Sequence, residues 1–167
     1  MKTKIFITTI LLSVMIHGCT NDGVSRDEIK KLAKAEKTWG SNKTSNYAYN
    51  YLQSCFCPYF GELKVVVQAD TVFAVLDPVT LEDATIVQGE EEVKMIDLYT
   101  DYFITIDKLF EKLKEASLNA YEMKGTYDSE TGYPRNVFID YIEDGVDDEI
   151  TYQLGSLENL NSTLLRD

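Results

Sequence analysis

Tyr47-Ala48-Tyr49-Asn50-Tyr51-Leu52 alternates an aromatic residue with a smaller or polar one over six positions. That period of two belongs to a β-strand, with Tyr47, Tyr49 and Tyr51 on one face and Ala48, Asn50 and Leu52 on the other. The same alternation recurs downstream. Leu63, Val65 and Val67 define a second strand. Asp70-Thr71 turns the chain into a third, Val72 to Leu76, which Asp77-Pro78 stops. Tyr121 to Tyr127, Arg135 to Ile142 and Glu149 to Leu154 read as strands joined by turn formers, Asp128-Ser129 through Gly132 and then Glu143-Asp144-Gly145. Short connections of this kind imply antiparallel pairing.

Each strand group follows a helical pattern. Ser25-Arg26-Asp27-Glu28 has the form of a capping box, in which the Ser25 hydroxyl takes the Glu28 amide and the Glu28 carboxylate reaches back. Val24 and Ile29 sit at hydrophobic-staple positions. Ile29, Leu32 and Trp39 share a face, with Ala33 beside them, so a helix is expected from Arg26 to about Thr38, ended by Gly40-Ser41-Asn42. Thr105 can cap a second helix, Ile106 to Asn119, whose Ile106, Leu109, Phe110, Leu113 and Ala116 follow amphipathic spacing. The stretch from Val79 to Thr105 has no clear period, beyond a solvated Gly89-Glu90-Glu91-Glu92 and a short strand or loop at Val93 to Ile96. The expected fold is α+β: an antiparallel sheet of about five to six strands with two amphipathic helices on one face. Its elements fall into two helix-plus-three-strand halves, a suggestion of duplication that the residues themselves do not repeat.

The N-terminal residues read as an export signal. Lys2 and Lys4 precede a mostly apolar run, Ile5 to Ile16, of twelve residues. A spanning helix needs about 20, so the run fits the h-region of a signal peptide. Ile16-His17-Gly18-Cys19 then has the form of a lipobox, although His17 stands where small residues are usual. The expected organisation is a signal peptide over 1–18, a tether lipidated at Cys19 over 19–24, a single domain over 25–160 and a tail over 161–167. Each buried methylene contributes about 0.8 kcal/mol, and two or three acyl chains hold a protein stably where one would not. In enterobacterial sorting an aspartate after the cysteine favours the inner membrane. Thr20 is therefore compatible with the outer membrane, facing the periplasm.

Cleavage before Cys19 has chemical consequences. It removes Lys2 and Lys4, taking Lys+Arg from 16 to 14 against 28 Asp+Glu, so the net charge moves from −12 to −14. It also removes His17, the one histidine. A chain without imidazole has no histidine-based triad and no histidine-containing zinc site. An acidic chain is a poor nucleic-acid binder, because phosphate contacts need clustered Lys and Arg. No catalytic residues, metal ligands or cofactor are indicated.

Three features could carry function. Cys55 and Cys57 are the first. On a flat strand their Cα atoms would lie about 6.6 Å apart. Disulfides span about 4.4–6.8 Å, so a bridge needs a local bend. An oxidising compartment favours the bridge, and thiol redox chemistry or cuprous binding by two thiolates are alternatives. The second is the stripe Tyr47, Tyr49 and Tyr51, together with Tyr133. These tyrosines fit either a half-buried sheet face and a turn, or an exposed aromatic surface for a protein or glycan partner. The third is the acidic run Asp144, Asp147, Asp148 and Glu149 around Gly145, a solvated turn or a calcium loop without EF-hand spacing.

Tyr47-x-Tyr49-x-Tyr51-x-x-Ser54-Cys55-Phe56-Cys57-Pro58, the helix start Thr105 to Phe110, Tyr127-Asp128, Gly132-Tyr133-Pro134 and the strand Asp147 to Tyr152 together resemble an uncharacterised bacterial lipoprotein family, a domain of unknown function. The resemblance spans Trp39 to Leu154 and implies a location and a fold type, with no activity, substrate or catalytic residues to transfer. The leading expectation is a non-enzymatic, lipid-anchored envelope protein that binds or scaffolds. The alternatives are a thiol-redox or metal-responsive protein using Cys55 and Cys57, and an inhibitor or immunity-type protein acting through its sheet face.

Overall fold

The computed structural model describes residues 23–160. The expected signal peptide, the Cys19 lipidation site, residues 20–22 of the tether and the tail over 161–167 lie outside the described residues.

The order of elements is α1 (Arg26–Asn42), β1 (Tyr47–Ser54), β2 (Leu63–Gln68), β3 (Thr71–Leu76), β4 (Thr85–Gln88), β5 (Glu91–Lys94), α2 (Met95–Leu98), α3 (Ile106–Asn119), β6 (Glu122–Tyr127), β7 (Pro134–Asp140) and β8 (Ile150–Asn159). Six strands form one antiparallel sheet in the order β3-β2-β1-β8-β7-β6, and β4 and β5 pair separately. One face of the large sheet carries both long helices. α1 packs over β6 and against α3, and Lys114 bridges the helices to Glu36 at 2.7 Å. The fold is the expected α+β arrangement.

The two halves share the strand order but not the hand. Both meanders advance toward β3 across the sheet. Antiparallel pairing throughout makes β1 and β6 run in opposite directions. Because both helices cover the same face, no rotation superposes one half on the other. The halves repeat their content without a symmetry axis.

The helix ends show how local chemistry works here. Thr105 caps α3 by accepting the Lys108 amide at 3.2 Å, and the core-facing positions of α3 are the expected ones. Ser25 likewise accepts the Glu28 amide at 3.3 Å. The Glu28 carboxylate, however, does not complete the capping box. It accepts the Gly125 amide of β6 at 3.1 Å and pairs with Lys31, so it ties helix to sheet. α1 also runs through Gly40 to Asn42. Ser41 and Asn42 donate back to the Lys37 and Thr38 carbonyls, which continues the last turn. Its buried residues are Leu32, Ala35 and Trp39, while Ile29 and Ala33 face solvent. The 3.6-residue period through Trp39 favours Ala35 over Ile29.

The stretch from Val79 to Thr105 holds the small β4–β5 ribbon, α2 and an irregular segment. Its Ala84, Met95, Phe103 and Ile104 complete the core. An isolated bridge, Leu76 to Asp83, and the Ala84 amide on the Val75 carbonyl (2.8 Å) hold it to the β3 edge.

Candidate functional site

The tyrosine stripe is an internal strut and not an exposed surface. Tyr47, Tyr49 and Tyr51 are 0–1% exposed, and Tyr133 is 2% exposed. The reading of these four as a binding face is corrected accordingly. The Tyr47 hydroxyl accepts the Ile106 amide at 3.0 Å, and Tyr49 donates to the Ile104 carbonyl. Trp39 of α1 meets the Tyr47 ring edge-on, with centroids 5.5 Å apart. Burial pushes all three phenols well above the usual tyrosine range. Tyr133 donates to the Gly155 carbonyl at 2.9 Å and accepts from Arg135. Gly132 before it has φ +86°, and a Cβ there would lie 2.7 Å from the Trp39 amide nitrogen. The Gly-Tyr-Pro segment is therefore where the β6–β7 loop packs on α1.

Tyr51 ends the stripe and begins the site. Its hydroxyl donates to the Gln53 side-chain carbonyl at 2.7 Å, and the Gln53 amide donates to Cys55 Sγ at 3.2 Å. The Tyr102 hydroxyl donates to the Gln53 main-chain carbonyl at 3.2 Å. Cys55 and Cys57 form a disulfide, with Cα atoms 5.1 Å apart. That is shorter than a flat strand allows, because β1 ends at Ser54 and the chain bends directly after it. The bend turns Phe56 and Tyr59 outward, 80% and 72% exposed. Phe60 turns inward and packs against Tyr99 at 4.5 Å and Tyr102 at 5.1 Å. A short covalently closed loop thus rests on a half-buried polar chain and carries Phe56 into solvent, with Tyr59 exposed directly after it.

The acidic run forms the β7–β8 loop. Asp148 accepts the Tyr141 amide at 3.1 Å and the Ile142 amide at 2.7 Å, clasping the loop shut. Gly145 is needed there, since a Cβ would strike the Asp148 carboxylate. Asp144 and Asp147 take positive φ, which acidic side chains tolerate better than most. The Tyr121 hydroxyl steadies the loop through Glu143 at 3.0 Å. Among the described residues no group of three His, Cys, Asp or Glu side chains is arranged to hold a metal ion.

A broad groove of about 1100 Å³ runs between α3, the segment before it and the β2–β3 turn. Two ion pairs lie along it: Lys43 pairs with Asp107 at 2.9 Å, and Lys108 with Glu111 at 2.7 Å. The hydrogen bond that Lys43 donates to Asp107 holds its ammonium above the ordinary lysine range. No helix among the described residues is long and apolar enough to cross a membrane.

Sequence reasoning found the cysteine pair but missed Gln53, which nothing in its spacing distinguishes. It also missed Phe56 and Tyr59 as the displayed residues. The signal for Phe56 was available: a large aromatic between two linked cysteines has little room to turn inward. No curated protein and no solved structure matches the chain. Residues 31–159 match a family of unknown function, DUF6174, a span that includes most of α1, all of α3 and the whole of the sheet. The chain belongs to that family.

Proposed function

We propose that this is a lipid-anchored envelope protein that acts by binding, with the disulfide-closed loop after β1 as its contact element. The observation that carries the reading is the display of Phe56 and Tyr59 on a loop braced by Cys55–Cys57 and Gln53. Exposed aromatics on a rigid support lose little conformational freedom on docking, which favours affinity. The lipobox at Ile16 to Cys19 supports the anchoring half, and the acidic, histidine-free domain suits an exported binding module. Fractionation of cells expressing the full chain and its Cys19→Ala variant tests the anchor. The wild type should sediment with membranes and the variant should be released. Retention of the variant would defeat the anchoring claim. Native gels of gently solubilised membranes test binding. A higher-order band should disappear in Phe56→Ser/Tyr59→Ser, and its persistence would count against the loop.

A second reading is supported by the sulfurs themselves. Cys55 and Cys57 are only partly covered, and the Gln53 amide could steady a thiolate. In that reading a partner dithiol reduces the disulfide by exchange and is itself oxidised to a disulfide. Mass spectrometry after alkylation at graded thiol poise tests it. Reduction under mild conditions supports exchange, and resistance under strong ones removes it.

A further inference from the structure

The loop after β1 does not stand alone. β1 and β8 are neighbours, and Ser54 at the end of β1 pairs with Thr151 at the start of β8. The loop leaving β1 and the loop feeding β8 therefore emerge side by side at one end of the sheet, about one strand spacing of ~4.8 Å apart at their roots. Both carry outward apolar groups: Phe56 and Tyr59 on the first, and Ile142 and Val146, 61% and 84% exposed, on the second. Each loop is braced, the first by its disulfide and the second by the Asp148 clasp. Four large apolar side chains on two fixed, adjacent loops are unlike the scattered single exposures of an ordinary surface.

Charge identifies what such a surface would take. Residues 55–62 and 141–149 contain six carboxylates and no lysine or arginine. Asp148 is turned inward by the clasp, and the other five are exposed on the loops that carry the apolar groups, so a docked chain must supply cations around an apolar centre. We infer that these two loops form one docking surface for a segment of another protein that combines basic and apolar residues. This rests on the anchored-binding reading and names its partner chemistry. Location adds a constraint. Gly23 lies beside the Ala120 carbonyl, just before β6, and Glu122 of β6 pairs with Asp140, the last residue of β7. The N-terminal side of the domain thus shares the end from which the loops project. A tether to Cys19 would hold this surface close to the bilayer. A bare lipid surface is the less favourable occupant, because leaflets rich in anionic lipid repel uncompensated carboxylates.

The test uses the full chain and short fluorescein-labelled peptides followed by anisotropy: alternating lysine and leucine, alternating lysine and serine, and alternating glutamate and leucine. The lysine–leucine peptide should bind saturably, and the other two at least about tenfold more weakly. Phe56→Ser/Val146→Ser should weaken binding about tenfold. Phe73→Ser, an exposed ring on β3, should leave it unchanged. Asp144→Asn/Asp147→Asn, which keeps the positive-φ positions tolerable, should weaken binding and flatten its salt dependence. Absence of binding, equal binding of the lysine–serine peptide, or indifference to Phe56→Ser/Val146→Ser each overturns the inference. So does binding to phosphatidylcholine or phosphatidylglycerol vesicles that the same substitutions abolish while peptide binding survives. Failure here with an intact Phe56-dependent complex on native gels would reject the cationic partner and leave the binding reading standing.

Discussion

The buried Tyr47 hydroxyl accepts the Ile106 amide at 3.0 Å, joining the first residue of β1 to the first residue of α3 across 59 positions of sequence. With Tyr49 on Ile104 and Tyr51 on Gln53, the stripe becomes a row of polar pins through an aromatic core. The pins fix where α3 starts and where the displayed loop is rooted.

Removing a pin leaves a buried main-chain group without its partner. Tyr47→Phe and Tyr49→Phe should each destabilise the protein by about 1–3 kcal/mol, read from urea unfolding. Amide exchange at residues 104–106 should rise in both. Unchanged stability in both variants would remove the strut assignment.

The same phenols make the fold sensitive to alkali. Burial pushes Tyr152 up to about 12, from an ordinary value near 10. A raised folded value means the neutral form is favoured on folding. Its stabilising effect is whole below about pH 10 and is lost as pH rises through about 12. That amounts to roughly 3 kcal/mol for Tyr152, with the stripe adding to it. Tyrosinate absorbance from the buried set should therefore rise together with loss of circular dichroism. A single smooth titration without unfolding would contradict this.

Gly132 and Gly89 separate backbone conformation from packing. Both have positive φ, but only Gly132 lies against α1, while Gly89 faces open space. Gly89→Ala should cost about 1–2 kcal/mol, the left-handed penalty alone. Gly132→Ala should cost about 2–4 kcal/mol, because overpacking against helix backbone is added. Thermal melts decide it, and equal losses would dismiss the packing argument.

Opening the disulfide should act locally. The chain-entropy estimate for so short a loop is about 1.6 kcal/mol. Cys55→Ser/Cys57→Ser should therefore melt only a few degrees lower. Exchange should rise in residues 54–60 but not in β7 or β8. A global rise in exchange would make the bridge a stability element instead of a local brace.

Much of this architecture was legible in the chain. The positions of α3 follow from an unbroken apolar period and a threonine cap. The six large strands follow from alternation. The stretch from Val79 to Thr105 resisted reading because β4 and β5 have four residues each and pair only with one another. Their alternation is too short to register. β8 runs on to Asn159, past the expected end at Leu154, because Gly155 and Ser156 break the alternation where the pairing with β1 shifts register. The tyrosines were visible, but their side was not. Tyrosine suits both a wet and a dry face, and only the hydroxyl partners at Ile104 and Ile106 distinguish the two. The pairing of the two displayed loops depends on β1 lying next to β8, a neighbour relation between distant segments that local pattern does not encode.

Function in this account lies at the loop tips and not in the stripe. The most direct measurement places a photo-crosslinking phenylalanine analogue at position 56, and separately at position 73, in living cells producing the full chain. The account predicts a discrete protein adduct from position 56 that position 73 does not form. No adduct at position 56, or the same adducts from both positions, would contradict it.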